Sequence, residues 1–393
     1  MFSVFVKNGI VFANAVGSMQ SAITHMRSRV PGYDVLRVVS MVAVVAIHCL
    51  MLLRATTSPS SPVVLLDTLL HFAVPVFFFV SGALVWGRYS GRTVEDYVHF
   101  LRRRTVVVIA PYLAWSSLYL LIAAARGYWP YWLTHTPALL LTGRSWYHLY
   151  FIPVLVFFYV LTPLVAPAAR RYPELLVATA YAARLLLVEP VTRAASTVGG
   201  PLLVTFAVVT TTHASHMALG AWFATRKDAL RPVLRRVWPL ALTLGSLVLV
   251  AQSRGLVPAL PDTLQDAVVP AAMALTVLGL AGLAFGIRMN PTTADKTARL
   301  GSLALGVYIA HPVLLLVWRS AITAVGGALL LQSPWFSVVS VTVITASSFG
   351  LSALLSRGRA TAWLVGSRPP PRSAAAIAFT ESSRVRSEAR QAA

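Results

Sequence analysis

The apolar run DVLRVVSMVAVVAIH, residues 34–48, carries an arginine and a histidine eleven positions apart, Arg37 and His48. Eleven steps of about 100° are three helical turns plus roughly 20°, so both side chains share one helix face, about 16 Å apart along the axis. Asp34, three residues before Arg37, joins that face and is placed to pair with it. A charge at the centre of a bilayer costs roughly 2.5–3.5 kcal/mol on the mildest scale. Arginine grips phosphate in a bidentate fork, and a neutral imidazole serves as general base or transient acyl carrier. The bland alternatives are an arginine snorkelling at a helix end and a histidine bonded to a neighbouring helix. A shared face favours an interior site over both.

Other histidines fall at similar depth in apolar runs. His71 follows Asp67 by one turn, His213 and His216 are three apart, and His311 stands in GSLALGVYIAHP. His148, in GRSWYHLYF, lies at the entrance to another run. Each alone reads as packing or interhelical hydrogen bonding; together they predict a polar cavity inside the membrane. No carboxylate or thiolate set has ligand spacing around them, so no metal site is expected. The single cysteine, Cys49, excludes a disulfide within the chain and points to a different face from His48. A second constellation is basic. FLRRRTVVVIAPY places Arg102, Arg103 and Arg104 at the start of an apolar run, and FFFVSGALVWGR brings Ser81, Trp86 and Arg88 to the same surface. This cluster orients the chain; it also suits a phosphate-bearing donor. No P-loop or dinucleotide fingerprint accompanies it.

Positioning these groups requires membrane helices. Of 393 residues, 57% are hydrophobic and only 11% charged, against about 25% charged in soluble domains; mean hydropathy is +0.72. The chain is therefore expected to be an all-α integral membrane protein, a bundle of about ten transmembrane helices. The apolar runs are 35–53, 63–86, 105–124, 146–166, 173–188, 201–224, 237–252, 267–287, 300–320 and 335–356. With the N-terminus in the cytoplasm, 25 Lys and Arg fall inside and seven outside, Arg37 being the one left within a span. That split follows the positive-inside rule and places both termini in the cytoplasm. It also accounts for the net charge of +21 without nucleic acid, for which no soluble basic module is present. Residues 1–31 read as a flexible leader, 32–356 as the membrane domain, and 357–393 as a disordered basic cytoplasmic tail.

Five segments in order resemble the acyltransferase family 3 of integral membrane O-acyltransferases. YDVLRVVSMVAVVAIH is similar to the family's opening helix, with its Arg-x10-His signature on Arg37 and His48. VPVFFFVSGALV is similar to its second-span motif, and FLRRRTVVVIAPYLAWSSLYLL to its basic entrance to the third. GRSWYHLYFIPVLVFFYVLTPL resembles its His-Leu-Trp-Phe region, with Leu149 and Tyr150 as a mild departure, and LGSLALGVYIAHPVLL its Tyr-x-x-His-Pro region. The resemblance implies acyl-coenzyme A, acetyl-CoA first among the candidates, as a donor substrate from the cytoplasmic side, with no permanently bound cofactor. It implies transfer to a hydroxyl of a carbohydrate or glycolipid acceptor, in a multi-pass protein of the bacterial cytoplasmic membrane. On this reading Arg37, Arg102, Arg103 and Arg104, with Ser81, hold the donor. His48 is base or acyl carrier, and His311, Tyr308 and His148 are its catalytic neighbours. A secondary transporter with a His/Arg-lined path is the alternative. Oligomeric state has no signature in the sequence.

Overall fold

The computed structural model describes residues 30–54, 61–198, 201–256 and 262–367. Helix α1 (Pro31–Arg54) begins on a proline, whose missing N–H costs nothing in a first turn, and carries Asp34 there, near the positive end of its dipole. A serine-capped α2 (Pro62–Leu70) runs almost directly into α3 (Ala73–Leu84). A reciprocal capping box, Thr93 with Asp96, starts α4 (Val94–Ala123). There follow α5 (Trp129–Thr142), α6 (Phe151–Val160), α7 (Thr162–Arg171), α8 (Pro173–Val198), α9 (Pro201–Ser253), α10 (Asp262–Gly286), α11 (Pro291–Ala324) and α12 (Pro334–Arg357). The protein is a helical membrane protein: among the described residues eight helices are long and apolar enough to cross a bilayer, or nine if one bent pair is a single span.

The departures from the expected runs have local causes. The fourth run is broken into α6 and α7, which meet at 72°, because Pro163 has no N–H for the Tyr159 carbonyl and its ring crowds that oxygen. The expected runs 201–224 and 237–252 both fall within one 53-residue helical element, α9. Straight, it would reach about 80 Å, against a hydrocarbon core of roughly 30 Å. It is not straight. His213 and Met273 line one cavity, while Gly245 packs against Thr276, one turn further along α10. A straight helix would hold residues 213 and 245 about 48 Å apart, so α9 folds back on itself. Pro232 lies in the region of reversal, where it removes a ladder hydrogen bond.

Part of the tail expected to be disordered from 357 is ordered. Residues 358–367 pack on the bundle: Ala362 and Val365 are buried, and the Trp115 indole N–H donates to the Leu364 carbonyl at 2.9 Å. The rest of that tail, from 368, and nearly all of the expected leader lie outside the described residues.

Helix α1 packs against α2, α3, α10, α11 and α12; Met41, Val44 and Val45 are buried. Helices α3 and α9 cross backbone to backbone. A Cβ on Gly82 would overlap the Met217 carbonyl, and one on Gly220 the Phe79 carbonyl. Backbone cannot yield as a side chain tip does, so Gly220→Leu is expected to cost about 3 kcal/mol or more. Thermal unfolding in detergent should show a large drop in Tm for it and almost none for Gly350→Ala, whose Cβ meets open space.

Candidate active site

At one end of α1 the Arg37 guanidinium donates to Asp34 at 2.9 Å, which holds it against the bundle. Arg37, Ser81 and Arg104 line a chamber of about 300 Å³ with Tyr159 and Ser302. The three consecutive arginines of α4 cannot share one direction, since neighbours on a helix are about 100° apart. Arg104 enters the Arg37 chamber. Arg102 and Arg103 line a neighbouring groove of about 450 Å³ with His99 and Trp363. The groove meets the chamber at Val107 and Gly366, which border both. Arg88, expected on the same surface, lies over the Tyr33 ring at 5.7 Å.

Three turns along α1, His48 opens into a second chamber of about 370 Å³. His71, His148, His213, His216, Arg184 and Tyr147 also border it. Arg37 and His48 therefore line two adjacent chambers, and Tyr308 borders both.

At the Tyr308 level three imidazoles gather. His48 stacks on His311 with ring centroids 5.1 Å apart and 21° between planes. His148 stands edge-on to His311 at 5.3 Å and 6.4 Å from His48. Different chain features deliver each ring. His48 follows from the continuous α1. His311 precedes Pro312, which supplies no N–H to the Tyr308 carbonyl and loosens α11 at this point. The Nδ1 of His311 lies 3.1 Å from the Val307 carbonyl. Nδ1 thus carries the hydrogen and Nε2 the lone pair, and Nε2 is buried without a protein partner.

His148 arrives on the turn 143–150 between α5 and α6. Gly143 sits at φ +73° and a Cβ there would overlap Tyr150 Cα, so only glycine fits. Ser145 bonds Ser116 at 3.0 Å, Trp146 stacks on Tyr119 at 4.9 Å, and the Tyr308 hydroxyl donates to the His148 carbonyl. Tyr119 donates to the Ile309 carbonyl at 2.8 Å, which ties α4 to the same level of α11. Both ring nitrogens of His148 are buried without a hydrogen-bond partner. Such nitrogens retain full capacity to accept or donate toward a ligand, because burial without a partner is costly unless something else occupies the site.

Asp67 stands beside His71, 3.6 Å from its Nδ1, as their one-turn spacing places it. Among the described residues no group of three or more His, Cys, Asp or Glu is arranged to hold a metal ion. Three contributors were not singled out in the sequence. Tyr147 has its ring 4.8 Å from His48 and was legible as the neighbour of His148. Arg184, an arginine inside an apolar run, borders the histidine chamber. Trp363 lies beyond the last span, where nothing in the sequence marked it.

Residues 30–357 match the family model described as an acyltransferase domain, of acyltransferase family 3, and the chain belongs to that family. No curated protein and no solved structure gives a match.

The Tyr308 hydroxyl holds the His148 turn, so its removal should loosen that turn without opening a cavity. Tyr308→Phe is expected to lower stability by about 1 kcal/mol. The drop should appear as a lower Tm, with a changed near-UV signal from the stacked Trp146. An unchanged signal and Tm would show that the bond does not hold the turn.

Proposed function

We propose that the protein transfers an acyl group, acetyl first among the candidates, from cytoplasmic acyl-CoA to a hydroxyl of a carbohydrate or glycolipid. In this reading the protein crosses the bacterial cytoplasmic membrane ten times: nine candidate spans count the bent pair, and the fold-back of α9 adds one. Both termini lie in the cytoplasm, on the positive-inside distribution of Lys and Arg, and the Arg37 chamber opens on that side. The observation that carries the reading is the pair of chambers sharing Tyr308, with Arg37 in one and His48 in the other. Family membership favours acyl transfer over transport.

The donor's phosphates engage Arg37 and Arg104, where guanidinium forks match phosphate oxygens, with Ser81 beside them and Arg102 and Arg103 at the neighbouring groove. The axial gap of about 16 Å between Arg37 and His48 is spanned by the flexible pantetheine arm, which brings the thioester to the Tyr308 level. The acceptor hydroxyl enters the histidine chamber. His48 takes its proton, the alkoxide-like oxygen attacks the thioester carbonyl, and the carbon–sulfur bond breaks. The departing thiolate takes the proton back from His48, so the products are an ester and coenzyme A. His311 and His148 supply neutral nitrogens that orient His48 or hold a transferring proton, and Tyr308, whose hydroxyl donates to the His148 carbonyl, holds the turn that carries His148. An attack by His48 itself, with an acyl-imidazole between two transfers, uses the same placement.

Purified protein in lipid, given acetyl-labelled acetyl-CoA, is expected to release free coenzyme A by transfer or by slow hydrolysis. His48→Ala should reduce that release at least roughly 100-fold while donor binding stays intact. Arg37→Ala should weaken coenzyme A binding roughly tenfold or more through the lost charge-assisted pair. Wild-type turnover in His48→Ala, or no coenzyme A binding to the wild type, would contradict the reading.

A further inference from the structure

The stretch 358–367 follows the last residue of the family match, Arg357, yet it is firmly built into the bundle. Thr361 Oγ1 donates to the Leu355 carbonyl at 2.8 Å, and Trp115 donates to Leu364. Ala362 and Val365 are 0% and 1% exposed. Gly366, at φ +65°, lies where a Cβ would meet Leu305 Cδ2 at 2.6 Å and the Val107 carbonyl at 2.7 Å. This strap is therefore a fixed border of both the Arg37 chamber and the Arg102/Arg103 groove.

Between these anchors one large side chain faces outward. Trp363 is 46% exposed, and its indole N–H is engaged by the Ala360 carbonyl at 2.8 Å. An interfacial tryptophan that anchors a protein in the headgroup layer keeps its polar end for water or lipid; this one has its polar end tied down and its ring fixed on a groove. The same groove carries Arg102, Arg103 and His99. A fixed aromatic ring beside two guanidinium groups matches what a phosphorylated nucleoside needs: stacking for the base and forks for the phosphates. Its volume of about 450 Å³ exceeds that of the Arg37 chamber, about 300 Å³, which it adjoins at Val107 and Gly366.

We propose that the strap and the first turns of α4 form a seat for the nucleotide end of the donor, with Trp363 stacking on the adenine and Arg102 and Arg103 on the 3′-phosphate. This rests on the acyl-CoA reading above. The donor then lies across both spaces: nucleotide in the outer groove, pantetheine passing Gly366 into the Arg37 chamber. The strap makes the site selective for coenzyme A over shorter pantetheine thioesters, through residues outside the family domain.

Equilibrium binding of radiolabelled coenzyme A and of 4′-phosphopantetheine to the purified full-length protein tests this without knowledge of the acceptor. Coenzyme A should bind roughly tenfold or more tightly than 4′-phosphopantetheine, the contribution of one stacked base and its phosphate contacts. Trp363→Ala should remove most of that advantage by weakening coenzyme A alone, and Trp363→Phe should restore it. Adenosine 3′,5′-bisphosphate should compete with coenzyme A on the wild type but poorly on Trp363→Ala. Unchanged melting of Trp363→Ala identifies a folded variant; if it is unfolded, the phenylalanine variant and the competition on the wild type decide. Equal binding of the two probes to the wild type, or an undiminished preference in folded Trp363→Ala, would overturn the seat while leaving acyl transfer standing. Failure of coenzyme A to bind the wild type at all would overturn both.

Discussion

A bilayer offers no water to a buried arginine or imidazole, and α1 carries both on one face three turns apart. That constraint organises the bundle. Helix α1 cannot turn this face to lipid, and it packs against α2, α3, α10, α11 and α12. Each group on the face is met by a different device. Arg37 is held by Asp34 at 2.9 Å and opens into a chamber shared with Arg104. His48 is met by other rings, stacked on His311 and flanked by Tyr147 and His148. Close helix packing then makes the interior narrow enough that one residue, Tyr308, borders both chambers.

The division of labour follows from that geometry. On the proposed reading, spreading Arg37 and His48 along about 16 Å of helix separates donor recognition from proton transfer, and a long flexible donor arm bridges the gap. The three imidazoles themselves depend on features far from α1: a glycine with positive φ at 143, a proline after His311, and the tyrosines 119 and 308 that pin α4 and the 143–150 turn to α11.

Much of this was legible in the sequence. The spacing of Arg37 and His48 translated directly into a helix face because α1 is regular and the period of a helix is fixed. The motif order located the right family. Less legible were features set by tertiary contact. Ten apolar runs predicted separate spans; the sixth and seventh fall within α9, which doubles back between them, and proline splits the fourth run at Leu161. Three adjacent arginines read as one patch, whereas helical rotation sends Arg104 into one space and Arg102 and Arg103 into another. The strap at 358–367 carries only the short apolar run Ala362–Val365, too brief to register as an element, and its order comes from burying Ala362 and Val365 against the bundle.

The central claim is that the donor enters from the arginine-rich end and its acyl group is used at the Tyr308 level. Sealed membrane vesicles of opposite orientation, each supplied externally with acetyl-labelled acetyl-CoA, test it most directly. Consumption of acetyl-CoA is expected only in inside-out vesicles, where the Arg37 chamber faces the added donor, and should disappear in right-side-out vesicles until they are permeabilised. Equal consumption in both orientations, or consumption confined to right-side-out vesicles, would contradict the account.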